Sequence, residues 1–562
     1  MIRKDFITVS ILTVLTPAAL YLFRSADTNF TLRWPWLFEV SGAAATALVL
    51  GPGILSVTAL AWVLSGTTLH ERRPAAFLFA VSFAAASVFW LEPQFNIDTS
   101  RYFTQAKHLE LYGVGYFLKE WGGDFPVWTD APLLPFIYGL IFRFAGEKAA
   151  YTEVFTTLLF SLTVVLTYLT GKTLWDRKTG LYGGLFMLGI PYIFTQVPLM
   201  MVDVPTMFFL TLAIYSFIRV MEDGGPWRIA SSSVAVFLAM FSKYSTWPML
   251  SVLAVILAVY LKTGRQGVLR RGAAVGLIAA ALAASAVALK YDVISRQFGI
   301  LTGYQVTVLD EWTETFTSAF LFQSHPFIAL SAAYSVYVAA RRRDTGYAII
   351  CYLPLVLVVS RITLLRYIIP LFPMLALTAS YGLSGIRDTR LRRFIVLCTV
   401  LTSLLLAYGL YLPFLQRHGS MNLKNAGKAL NALAADVVEV YTLPQEGTDV
   451  NPAIAVPVLD LFTEGTIVYD YRLNSLHQKR PPEEEVSTSP TRFTWEYRNP
   501  AYYAPNGTAA AGRTAVVVIS KTADPELPDY VEQRTRERRV YKVFKTSTPG
   551  LLRYGTVVTI YD

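Results

Sequence analysis

The chain has 562 residues, of which 54% are hydrophobic and 16% charged, a formal net charge of +10 and a mean hydropathy of +0.43. A soluble globular chain carries nearer a quarter charged residues, so this composition excludes a wholly soluble chain and indicates a membrane protein. Cys351 and Cys398 both lie in apolar runs, which excludes a disulfide framework, and the basic residues sit in short loops between apolar segments, a topology signal and not a nucleic-acid patch.

Arg3 and Lys4 precede an apolar run at 6–23 that no small-residue cleavage site closes, so a retained first helix is predicted. Further runs long enough to cross about 30 Å of hydrocarbon lie at 41–64, 75–91, 151–170, 181–197, 204–221, 229–246, 247–263, 272–290, 326–340, 345–360, 365–384 and 393–413. The fold class predicted is an α-helical polytopic membrane protein of about thirteen transmembrane helices. The loops holding Arg72, Lys172, Arg219, Arg265, Arg341 and Arg387 fall on one side only if the apolar piece 132–145 does not cross. That piece is therefore predicted to be an interfacial helix on the outer side, opened by Pro132 and Pro135. The basic loops and the N-terminus are then cytoplasmic.

Four regions follow: N-terminal transmembrane helices at 1–91, a first outer loop with interfacial helices at 92–150, a transmembrane core at 151–414, and an extracytoplasmic α/β domain at 415–562. In that domain, Asn425 to Val440 reads as an amphipathic helix, while 515–520 and 555–560 read as strands and 481–485 as a solvated loop. The segment 291–325 reads as a second outer loop. The sequons at Asn29 and Asn506 both fall outside.

Polar residues collect at the outer membrane boundary. Asp98 is followed by Tyr102, Gln105, Leu109 and Tyr112, one face of a helix, so the carboxylate heads an amphipathic interfacial segment. Asp98 is either a general base or a helix cap. Asp203 lies between two apolar runs with almost no loop, a costly depth for a charge, and is either functional or an N-cap before Pro205. Lys243, Arg361 and Arg366 are cations on the outer side, against the positive-inside bias. They either bind a phosphate headgroup or snorkel to the interface. The five histidines show no ligand spacing. The carboxylates of Asp98, Asp203 and Asp124 or Asp130 would suit a divalent metal ion, although the sequence does not fix a need for one.

These residues, in this order, resemble the GT-C membrane glycosyltransferases, closest to the protein O-mannosyltransferases and the aminoarabinose transferase. Asp98 with Tyr102 is similar to the acid and tyrosine that open the family's first outer loop, and Asp130-Ala131-Pro132-Leu133 is similar to its proline turn. Asp130 stands where relatives usually carry Lys or His. Val202-Asp203-Val204-Pro205 resembles the second acidic motif, Ser242-Lys243 the "TK" turn, and Arg366-Tyr367 through Pro373 the Arg-Tyr-x-x-Pro-x-x-Pro segment.

The resemblance implies a plasma-membrane enzyme that moves a sugar, such as mannose, from a dolichyl or undecaprenyl phosphate in the surrounding lipid to a protein, lipid or glycan acceptor, with inversion. It makes Asp98 the base and Asp203 an acceptor-orienting or metal-holding acid. Lys243, Arg361 and Arg366 would hold the donor phosphate, with Tyr102, Asp130, Tyr244 and Tyr367 binding substrate. A polytopic transporter or flippase of lipid-linked precursors is the rival class, and it predicts broken helices at mid-membrane and internal repeats.

Overall fold

The structure is a computed structural model that describes residues 4–28, 43–68, 72–90, 97–124, 127–305, 315, 317–359, 364–443, 455–469, 501–503, 512–545 and 556–562. Arg361, both sequons and the acidic loop at 481–485 lie outside the described residues. The chain is mostly helical, with a small C-terminal sheet.

Each predicted apolar run carries helix among its described residues. Lys4–Leu22, Ala149–Leu174, Asp203–Glu222, Val268–Leu289 and Thr389–Arg417 are long and apolar enough to cross a membrane. Others break where the sequence breaks them. The run at 229–263 divides into Pro226–Ser242, Thr246–Met249 and Val252–Lys262, with Lys243 extended at φ −165°, ψ 136° between the first two. The run at 365–384 divides into Leu365–Ile368, a 3-10 turn at Ile369–Leu371 and Phe372–Leu383, since Pro370 and Pro373 are tolerated only in first turns. Local signals set the helix starts: the Asp176 carboxylate accepts from the amides of Lys178 and Thr179, and Asp388 does the same for Arg390 and Leu391.

The chain divides into two compact units, one of residues 1–90, 129–133 and 154–412, the other of 91–128, 134–153 and 413–562. The first is a helical bundle in which glycines let backbones meet, because lipid supplies no hydrophobic force to press helices together. A Cβ at Gly180 would strike the Tyr168 carbonyl, and one at Gly382 the Ser331 carbonyl. Gly382→Leu is expected to cost at least about 3 kcal/mol, read as loss of monodisperse protein and a lower melting temperature. The same change at Gly276, where a Cβ meets nothing within 4 Å, is expected to do little.

The second unit holds the helices Ile97–Glu120 and Leu133–Ala145 (all but its first residue) and a five-stranded sheet. The strands are β1 Val437–Thr442, β2 Thr466–Val468, β3 Thr514–Ser520, β4 Val540–Phe544 and β5 Val557–Tyr561, in the order β2-β1-β3-β5-β4. β1 pairs in parallel with β2 and β3, while β5 is antiparallel to β3 and β4. Ala515, Val517 and Ile519 pack in one core with Leu423, Leu430 and Leu459, whereas Val516 and Val518 pack on the opposite face with Val531. Burial on both faces is why this strand reads as an unbroken apolar run.

Three expectations change. The helix predicted through Val440 ends at Ala432, after which Ala434 turns to φ 51° and the chain enters β1. The outer loop at 291–325 opens with a helix, Tyr291–Ile300. The first outer helix is not amphipathic along the predicted face: Tyr102, Gln105 and Leu109 are buried, Tyr112 is 49% exposed, and Gly113 at φ 88° breaks the helix after it.

Candidate functional site

The bundle unit gathers three of the predicted residues around Asp203. This residue opens the Asp203–Glu222 helix as its first helical residue, and the cap position is Val202. A carboxylate there faces the positive end of the helix dipole. Lys243 Nζ approaches Asp203 Oδ1 at 2.6 Å, and Arg366 Nη2 approaches Oδ2 at 3.3 Å. The Lys243 ammonium also lies 4.4 Å from the centre of the Tyr367 ring.

The carboxylate is 2% exposed, but the Lys243 and Arg366 side chains keep 15% and 24%. Among the described residues, two partly open cations meet at one closed carboxylate, an arrangement suited to an anion. The broken backbone at Lys243 and the short helix at Leu365–Ile368 bring both cations to the start of the Asp203 helix. Neither would reach it from the interior of a regular span.

Asp130 and Tyr244 also belong to this unit. Asp130 is buried, and its carbonyl accepts from Gln297 Nε2 at 3.0 Å. Gln297 Oε1 accepts from the Tyr244 hydroxyl at 2.5 Å.

Asp98 and Tyr102 lie in the other unit. Asp98 sits in the first turn of Ile97–Glu120, and its Oδ1 is 3.0 Å from Arg101 Nη2, both side chains being nearly closed to solvent. Arg101 also donates to the Tyr102 hydroxyl at 3.3 Å. Among the described residues, no three His, Cys, Asp or Glu side chains gather to hold a metal.

A further ion network in this second unit was not legible in the sequence. Lys107 Nζ lies 2.5 Å from Asp460 Oδ2 and 2.9 Å from Glu147 Oε2, and the Tyr503 hydroxyl donates to Asp460 at 2.5 Å. Burial alone would lower the Lys107 ammonium, but the Asp460 and Glu147 carboxylates push it up to about 12. One ammonium cannot neutralise two buried carboxylates. Glu147 is raised well above its ordinary value, by burial first and then by the charge of Asp460.

A carboxylic acid whose folded pKa is raised supports the fold below its unfolded value and loses that support as pH rises through the folded one. Glu147→Gln keeps an oxygen for Lys107 and escapes this loss. Its melting temperature is expected to match wild type near pH 4 and to exceed it increasingly by pH 8, measured by thermal unfolding in detergent across that range.

Residues 129–291 match the family described as dolichyl-phosphate-mannose-protein mannosyltransferase. The matched span contains Asp130, Asp203, Lys243 and Tyr244. The crystal structure of ArnT from Cupriavidus metallidurans bound to undecaprenyl phosphate superposes with a TM-score of 0.51 at 12% identity, over 87% of this chain and 98% of that one. This chain shares the ArnT fold. The apo structure of the same ArnT gives 0.51 at 13% identity over 86% and 97%. Among curated proteins no match is found. The family match over residues 129–291 and the shared fold do not favour the transporter alternative.

Sequence reasoning missed Arg101 and Gln297. Arg101 stood three residues from Asp98, a spacing that places an acid and a base on one helix face. Gln297 is the polar residue among Val293 and Ile294 on the buried face of Tyr291–Ile300.

Proposed function

We propose that the chain transfers a sugar from a polyprenyl phosphate to an acceptor on the outer face of the plasma membrane. The observation that carries this reading is the Asp203–Lys243–Arg366 cluster, in which two partly open cations meet at one buried carboxylate in an ArnT-like fold. A lipid phosphate supplies the matching anion, and the ArnT structure that resembles this chain was solved with undecaprenyl phosphate.

In this reading the acceptor hydroxyl attacks the anomeric carbon from the face opposite the phosphate, and the C–O bond to phosphate breaks with its electrons leaving on oxygen. Lys243 and Arg366 stabilise the charge that develops on the departing phosphate. Arg361 is proposed as a third cation, and Tyr367 as the ring that braces Lys243. Asp98 takes the hydroxyl proton, with Arg101 fixing its orientation and Tyr102 beside it. Asp203 holds the two cations in register, while Asp130 and Tyr244 contribute to substrate binding. Asp98 lies in a different unit from Lys243 and Arg366, and each role rests on its own partners.

The N-terminus and basic loops are placed in the cytoplasm and the 415–562 domain outside. Two features support that orientation: the distribution of Lys and Arg, and the 13 residues of Leu133–Ala145, which rise about 20 Å against about 30 Å of hydrocarbon.

Cells lacking the chain are expected to accumulate one polyprenyl-phosphate sugar and to lose one glycosylated product, read by lipid-linked glycan profiling against the parent strain. Unchanged lipid-linked and acceptor glycans would remove the proposal.

A further inference from the structure

Gln297 is 1% exposed on a helix face otherwise made of Val293 and Ile294. A buried amide without partners is costly, so both of its ends need bonds. The Asp130 carbonyl can only accept, which fixes Nε2 towards it and leaves Oε1 for the Tyr244 hydroxyl. No other orientation of the amide makes both bonds.

One side chain therefore ties two distant stretches together. On one side is the backbone just before Pro132. On the other is Tyr244, next to Lys243, whose backbone is extended between two helices and whose carbonyl accepts from the amide and hydroxyl of Thr246. Tyr244 is buried as well, and its ring packs against Trp247 at 5.4 Å and Phe298 at 6.0 Å. The helix that carries Gln297 thus anchors the turn that presents Lys243.

We infer that Gln297 is a positioning residue, a two-sided amide bridge that fixes the Lys243–Tyr244 turn against the Asp130 segment and so sets where the Lys243 ammonium meets an anionic phosphate. This inference rests on the proposed phosphate site. It goes beyond that site because Gln297 touches none of the three charged groups through the bonds described.

The test uses full-length protein in nanodiscs and undecaprenyl phosphate as the probe, with binding constants and melting temperatures measured on the same samples. Gln297→Leu and Tyr244→Phe are each expected to weaken binding about 5–50-fold, and the double variant no more than the weaker single. A role confined to stability would lower the melting temperature and leave the binding constant of folded protein unchanged. A tyrosine that touched the lipid directly would make the two losses multiply. Either result, alongside at least tenfold weaker binding by Lys243→Ala, would overturn the inference and leave the phosphate site standing. Wild type that fails to bind, or Lys243→Ala and Arg366→Ala that bind as wild type does, would overturn the site and the inference with it. Should Gln297→Leu not fold, Tyr244→Phe removes the same bond by deleting one oxygen, and unchanged binding by that variant would overturn the inference.

Discussion

Asp203→Ala is expected to give a chain with no measurable sugar transfer and a stability loss of about 3–5 kcal/mol. Removing one partner of a buried ion cluster leaves the others uncompensated, and here two cations, Lys243 and Arg366, would face each other without the carboxylate between them. Asp203→Asn separates the two effects. Its amide fills the same space and accepts one hydrogen bond, so most of the fold should survive while the cations lose register. Lys243→Ala should behave differently again. It removes a charge from the phosphate site and leaves Asp203 with Arg366, so kcat/KM should fall about 100–1000-fold with a smaller change in melting temperature. Transfer rates and melting curves for the three variants check this, and Asp203→Ala with normal transfer would contradict it.

The second large effect concerns Asp98. Loss of a general base typically costs 10²–10⁴-fold, so Asp98→Asn is expected to lower kcat by about that factor with the donor KM little changed. Because Arg101 holds the carboxylate at 3.0 Å, Arg101→Gln should also lower the rate. Arg101→Lys, which keeps a cation beside the carboxylate, should recover part of that rate. Rates and melting temperatures of both variants distinguish this from a simple packing defect, which Arg101→Lys would not repair.

The apolar helices were legible because lipid imposes a long apolar period on each span, and each predicted run carries helix among its described residues. Asp203 was legible for the converse reason, as a charge where charges are expensive. Lys243 and Arg366 stood out as cations on the predicted outer side, where cations are expected to be scarce. The partners of Lys107 were not legible, since Asp460 lies 353 residues away and only the folded unit brings them together. The end of the helix at Ala432 was missed because neither Gly nor Pro marks it; the chain turns on Ala434 at φ 51°, and the valines that follow continue an apolar pattern. Gln297 was hidden because a single glutamine in a short outer segment carries no periodic signal until the helix and its buried face are known.

The central claim is tested most directly by purified full-length chain in liposomes with a panel of radiolabelled polyprenyl-phosphate sugars and membrane extract as acceptor, following release of free polyprenyl phosphate. The account predicts release from one donor by wild type, and at least 100-fold slower release by Lys243→Ala. Equal release by wild type and Lys243→Ala, or no release from any donor by wild type, would contradict it.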